Sequence, residues 1–564
     1  MNEAIERLGD ELVSTLFDQE PLEAALLGLD DGSDGLADLS RDAESEAAQS
    51  YRSLAEAADA LAASLDRSGA ALQESDRLAL DLVRLTGAAR ARSADLPLLE
   101  LTITDFQTAP LSALFTVLPQ LPLGSTVRRQ QYLDRLAALP AYLEQAAQRH
   151  REGLASGRTA TDRGIRSAIA QIDQVMADPE VSGLRRHDDR EVDGEFLSSQ
   201  QQLIDDAVLP AILAFRSFLE DEVLGSGRSD EQPGLCWLPD GEAMYNTLVA
   251  TSTSTDRTAE DLHAAGLAII EEVNLEFATV GDRLWGISDV PAIHERLRTD
   301  PSLRFSSADE IVDAAITAVR RAEEAAPGWF GLVTSTPCAV EPIPEALATS
   351  APTAYYFAGA LDGSRVGTYF VNTTSPDQRF RHMSEDIAFH EAVPGHHFQL
   401  TIAQELSDTH LAQRIFTDVA TAEGWGLYAE RLADEMDLYS GDLDRLGMLS
   451  ADAWRAARLV VDTGLHAFGW SRQAAIDWMF SHVPLSALEV EAEVDRYIAM
   501  PGQALSYMVG RMAIEACRRE ATDELGAAFD VRRFHDLVLT SGPVPIPALE
   551  AAVRRWIASQ RPAS

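Results

Sequence analysis

Cysteine is scarce: the 564 residues hold three, Cys236, Cys338 and Cys517, far apart and without metal-type spacing. That argues against a disulfide framework and against a cysteine-built metal centre, and a reducing cytoplasm is the expected setting. Positive charge is also short. Acidic residues outnumber basic ones 90 to 46, for a formal charge of -44 and a pI near 4.5. Such a field repels nucleic-acid phosphate and anionic membrane and favours solubility, so neither a nucleic-acid nor a membrane partner is expected. No segment supplies the roughly 18 uncharged apolar residues of a membrane span. The start, "MNEAIERLGDELVSTLF", is acidic and amphipathic, without the basic head and continuous apolar core of a secretory signal. Glycine-rich phosphate loops, exact repeats and sustained heptads are absent as well.

What the chain has in abundance is helical periodicity. "LAEAADALAASLDRSGAALQESDRLALDLVRLTGAA" places apolar residues at three- and four-residue intervals over many turns, and two or more long helices are expected from about 124 to 222, interrupted at Pro140 and Gly157. Gly, Pro, Ser and Thr accumulate between about 225 and 257, which reads as loop and irregular chain. Helix resumes with Thr258 as a start signal. Between 332 and 374 the character changes: "CAVEPIPEAL", "AYYFAG" and "GTYFVNT" are short, aromatic or β-branched and bounded by Pro, Gly and Asp, the pattern of a small sheet. Ser384 is placed to cap the next helix, with Glu385 and Asp386 in its first turn. The expected fold is mainly α, with a small β-sheet preceding the helix that bears the chemistry. Its expected divisions are 1–50 (acidic helix and loop), 51–330 (helical subdomain) and 331–560 (sheet and candidate active-site helices).

The chemistry-bearing stretch is "AFHEAVPGHHFQL". Zinc hydrolysis needs neutral imidazoles, usually a carboxylate, an open position for water and a base beside it. His390 and Glu391 suit the roles of ligand and base in an HE-type motif. The usual partner histidine would fall at 394, where the chain has proline. On a regular helix His396 lies about 9 Å along the axis and about 120° around from His390, and His397 about 10 Å along, so neither closes a site with metal bonds of about 2 Å. Pro394 and Gly395 permit a break that would bring one of the two back. Glu423 in "TAEGWGLYAE" is the candidate third ligand, from a following helix, and Glu430 the candidate partner that fixes a histidine tautomer. Gly424 and Gly426 suit a close approach by a neighbouring backbone or a substrate. Asp462 and His466 are spaced to pair on one helix face. Tyr507 or His466 could donate to an oxyanion, and Arg496 or Arg511 could hold a carboxylate, in a cluster with Tyr497 and Gln503. Tyr369 and Asn372 could align an extended substrate.

Taken together, "FHEAVPGHHFQL", "EGWGLYAE", "DTGLHAFGWS" and "RYIAMPGQALSYMVG", with "YLDRLAALPAYLEQ" and "TAEDLHAAGL" upstream, resemble the bacterial family called domain of unknown function 885. That resemblance implies kinship with helical zinc peptidases of the gluzincin type. Carried over by residue, it makes His390, His396 and Glu423 ligands of Zn2+, Glu391 the general base and Tyr507 the oxyanion donor, with His466 as companion. It favours His396 over His397, because in such peptidases a glycine directly precedes the second ligand. The expected activity is metal-activated hydrolysis of short peptides. A metal hydrolase of another amide or ester, and a helical binding protein without catalysis, are the alternatives.

Overall fold

Capping residues set the helix starts. Asn2, Ser40, Ser125, Thr161 and Thr258 each sit in extended backbone and accept a hydrogen bond from a first-turn N–H, satisfying donors that a helix start leaves bare. They open α1 (Glu3–Gln19), α2 (Arg41–Ser68), α3 (Thr126–Ala155), α4 (Asp162–Ala177) and, after α5 (Gly241–Thr253), α6 (Ala259–Trp285). The computed structural model describes residues 2–29, 35–69, 72–186, 194–343, 352–363, 365–406 and 408–560.

Two expectations need correction in this half. Pro140 lies inside α3 without interrupting it. The lost N–H bond is offset by a face on which Tyr132, Leu136, Leu139 and Leu143 are all buried. The stretch read as loop contains α5, whose Met244, Tyr245, Leu248 and Val249 form a buried stripe; tertiary burial overrides its Thr and Ser content.

The apolar stripes converge on two cores. One gathers Leu118, Tyr132, Leu136, Ile165, Ile212 and Leu219 from the segment between about 103 and 223. The larger joins the N-terminal helices to the C-terminal half through side chains such as Leu12, Tyr245, Phe277, Trp425, Tyr497 and Phe534. No lysine occurs in the sequence, so arginine makes the charged contacts between helices, several of them as two-pronged pairs, among them Arg283 with Asp442 and Arg518 with Glu435.

The expected small sheet is present and precedes the candidate site: β1 (Ala339–Pro342), β2 (Ala354–Phe357) and β3 (Thr368–Val371), in the order β1-β3-β2. β3 is central, parallel to β1 and antiparallel to β2, with Tyr369 opposite both Val340 and Tyr356. Helices follow: α7 (Ser384–Glu391), α8 (His396–Glu405), α9 (Val419–Glu435), α10 (Asp442–His466), α11 (Ala487–Ala499) and α12 (Ser506–Leu525). Ser384 does not cap α7. A 3-10 turn, Arg381–Met383, leads directly into it and leaves Ser384 already helical. Among the described residues, no helix is long and apolar enough to cross a membrane.

Candidate metal centre

The break that a regular helix cannot supply lies between α7 and α8. α7 ends at Glu391, and the chain turns through Ala392 and a cis Val393–Pro394 bond before α8 starts at His396. Gly395 lies so close to the end of α7 that a Cβ there would stand 1.8 Å from the His390 carbonyl oxygen and 2.4 Å from that of Phe389. Only glycine permits that approach. It brings the His396 ring to 4.6 Å from the His390 ring, nearly perpendicular to it at 86°. From α9, Trp425 donates its indole N–H to the Pro394 carbonyl at 2.8 Å, tying the turn to the helix that carries Glu423.

Three ligand atoms then converge. Glu423 Oε2 lies 3.5 Å from His390 Nε2 and 3.3 Å from His396 Nε2, and all three atoms fall within 4.8 Å of one another. Two atoms bound about 2.1 Å from one tetrahedral ion stand about 3.4 Å apart, so the donor set fits a single metal. His390 Nδ1 is 2.7 Å from Glu430 Oε1, which directs Nε2 at the cluster. Burial disfavours a charged His390, but the carboxylates of Glu423 and Glu430 outweigh it and push the imidazole up to about 10. Burial likewise opposes ionisation of Glu423, and the two histidines overcome it, holding the carboxyl well below its usual range. The pocket is built for a positive charge.

The glycines flanking Glu423 do separate jobs. A Cβ on Gly426 would meet the His390 ring at 2.6 Å, and one on Gly424 would meet the Gly510 backbone at 2.3 Å. The first lets the imidazole lie against α9. The second lets α9 and α12 pack backbone to backbone, which brings Tyr507 into the electrostatic reach of Glu423. Tyr507 is half-buried, beside Gln503, with the Arg458 guanidinium 4.2 Å from its ring centre. Glu391, next to His390, is held from the other side: Glu391 Oε2 accepts the backbone N–H of Tyr356, on the edge strand β2, at 2.9 Å.

Other sequence candidates stand elsewhere. His397 points away from His390, its Nδ1 3.1 Å from the Tyr356 hydroxyl and its Nε2 3.1 Å from the Thr336 carbonyl, so it is not the second ligand of this cluster. His466 has no free nitrogen: Nδ1 accepts from Leu235 N–H and Nε2 reaches the Tyr497 carbonyl. Asp462 does not bond His466 but accepts from the Tyr245 hydroxyl at 2.5 Å and from Gly502 N–H. Tyr497 is fully buried, its hydroxyl donating to Glu493 at 2.6 Å. Arg496 is bonded to Glu493 and to Gln503, and Arg511 to Asp452. Tyr369 sits on the central strand, paired on both sides, so it has no free edge to offer a substrate. Asn372 holds a turn, donating to the Pro352 carbonyl and accepting from Thr374. Sequence reasoning missed Tyr356 and Arg458. The first stands in a strand that was legible; the second lies one helical turn before Asp462 on α10, a spacing that would have flagged it.

The fold and cluster define a helical protein with a His/His/Glu group able to hold a metal ion. The chain belongs to the family described as "Bacterial protein of unknown function (DUF885)", whose model matches residues 21–553. Two solved structures share the fold. One, described as a "putative lipoprotein" from Colwellia psychrerythraea, has 22% identity and a TM-score of 0.89, covering 99% of each chain. The other, a "putative lipoprotein of unknown function" from Shewanella oneidensis, has 20% identity and a TM-score of 0.72, covering 97% of this chain and 99% of that one. No curated protein matches the chain. The cytoplasmic location expected from cysteine content and the N-terminal sequence is overturned by these two structures: lipoproteins are held at a membrane surface, and free cysteines do not by themselves specify the cytoplasm.

Proposed function

We propose that the protein is a zinc-dependent hydrolase of short peptides. The observation that carries this reading is the fit of His390, His396 and Glu423 to one ion, with Glu391 directly beside the first ligand and fixed by the Tyr356 amide. Zinc in this site would act as a Lewis acid toward a carbonyl oxygen and lower the pKa of water. Glu391 takes the proton from the attacking water and passes it to the leaving amine; the Tyr356 N–H keeps its carboxylate aimed. Tyr507, beside Glu423, donates its hydroxyl to the oxygen that gains charge, and Arg458 against its ring supports that donation electrostatically. Glu430 holds His390 in the tautomer that presents Nε2. Likeness to two proteins described as lipoproteins supports a place in the cell envelope.

Elemental analysis of the purified untagged chain and its His390→Ala, His396→Ala, His397→Ala and Glu423→Ala variants tests the site. One zinc per chain, retained only by wild type and His397→Ala, is the expected result. A library of short peptides then tests the activity, with Glu391→Gln as the control that keeps metal and loses hydrolysis. Wild-type protein that takes up no zinc at micromolar exposure would sink the proposal. Zinc uptake without peptide cleavage would leave the metal centre and remove the peptidase.

A further inference from the structure

A second site lies where the two cores meet. α4 and the turn after residue 101 form one side of a cavity of about 210 Å³, and α11 forms the other. Pockets for drug-sized ligands run to about 300–1,000 Å³, so its occupant must be small. Seams between packed units are where such pockets concentrate.

The charges on its walls do not all cancel. Arg163 is paired with Asp230 through Nε and Nη2, at 3.2 and 2.5 Å. Asp495 is paired in the same way with Arg472, at 2.6 and 2.9 Å. Two groups remain. The Arg228 guanidinium donates to the backbone carbonyls of Thr159 and Pro233 and has no carboxylate partner among the described residues. Its ionisable neighbours are Cys236 and His466, and burial keeps both neutral, raising the thiol and lowering the imidazole to about 3. Burial without a counter-ion depresses Arg228 itself, to about 10. Asp105, an exposed residue of the lining, accepts on its side chain from the Thr104 hydroxyl and has no basic partner among the described residues. Ile103, Phe106, Pro233 and Ile498 supply apolar wall to the same cavity.

One uncompensated cation, one uncompensated carboxylate and apolar wall in the lining of one small cavity complement a small zwitterion. We propose that this cavity binds a free amino acid with a small apolar side chain, its carboxylate on Arg228, its ammonium group on Asp105 and its side chain against Ile103 and Ile498. None of the metal ligands takes part, so the inference stands or falls independently of the hydrolase.

Calorimetric titration of the full chain, with and without prior removal of metal by a chelator, tests it. The probes are alanine, valine and leucine, with propionate and propylamine as carriers of one charge each. Expected is saturable binding of at least one amino acid, weakened about tenfold or more for both single-charge probes and in Arg228→Met and Asp105→Asn, and unchanged by metal removal. Ser167→Leu, which fills the cavity while leaving Arg228 in place, should abolish binding and guards against a misfolded Arg228 variant. No binding up to about 10 mM overturns the proposal, as does propionate binding as tightly as alanine, or binding that requires the metal.

Discussion

Substituting Gly426 by alanine isolates the packing of His390 from every change in ligand chemistry. The new Cβ would stand 2.6 Å from Cε1 and 2.9 Å from both ring nitrogens of His390, where ordinary contact begins at 3.4 Å. The ring must therefore retreat by about 0.8 Å, from 2.6 to 3.4 Å. A free side chain would swing away at little cost. His390 cannot, because it is 4% exposed and its Nδ1 is fixed to Glu430 at 2.7 Å. A displacement of that size is a large fraction of a metal bond of about 2 Å. Changes that disturb ligand orientation weaken metal binding about 10- to 100-fold, or about 1.4–2.8 kcal/mol. The helix itself should not suffer, since alanine is favoured over glycine in a helix interior by about 1 kcal/mol. The assay is a competition titration of zinc against a chromophoric chelator, with thermal melting of the metal-free protein in parallel. Gly424→Ala supplies the contrast: its Cβ meets the Gly510 backbone, which cannot swing aside. It should cost about 1–3 kcal/mol of stability through overpacking. Zinc held by Gly426→Ala as tightly as by wild type would refute the argument that this glycine exists to seat the imidazole.

Other outcomes follow from the same contacts. Glu430→Ala should lower zinc affinity about 10- to 100-fold, because His390 loses the partner that fixes its tautomer, measured by the same competition. In the metal-free protein His390 is held near 10, above its unfolded value of about 6.5, so the stability it contributes is full below pH 6.5 and lost as pH rises through 10. Zinc must displace that proton, and its apparent affinity should rise about tenfold per pH unit over the same window, read by titration at several pH values. Asp462 is pushed up to about 7 by burial, against the donors Tyr245 and Gly502. Its contribution is therefore full below about pH 4 and lost through 7, a span of order 4 kcal/mol. Asp462→Asn should flatten the fall in melting temperature between pH 5 and 8, and an unchanged profile would show that another group controls it.

How much of this was legible depended on whether a residue's role is local or relational. The helix start at Thr258 and the small sheet were readable because each rests on residue type and spacing along the chain, and His390 and Glu423 stood out as candidates by residue type. The resemblance chose His396 over His397, and the geometry gives the physical reason. Gly395 folds the start of α8 against the end of α7, so the residue immediately after it faces His390 and the next faces the sheet. Several of the misread residues have partners far along the chain. His466 looked like a donor from its spacing to Asp462, but Leu235 and Tyr497, more than 30 residues away on either side, claim its nitrogens. Arg496 and Arg511 looked free to bind a carboxylate, yet Glu493 and Asp452 already hold them. In a chain with 90 acidic residues and only arginine to balance them, a buried arginine is normally claimed by a carboxylate, so an arginine without one is the informative case. Arg228 is such a residue, and the periodicity that revealed the helices gave no hint of it.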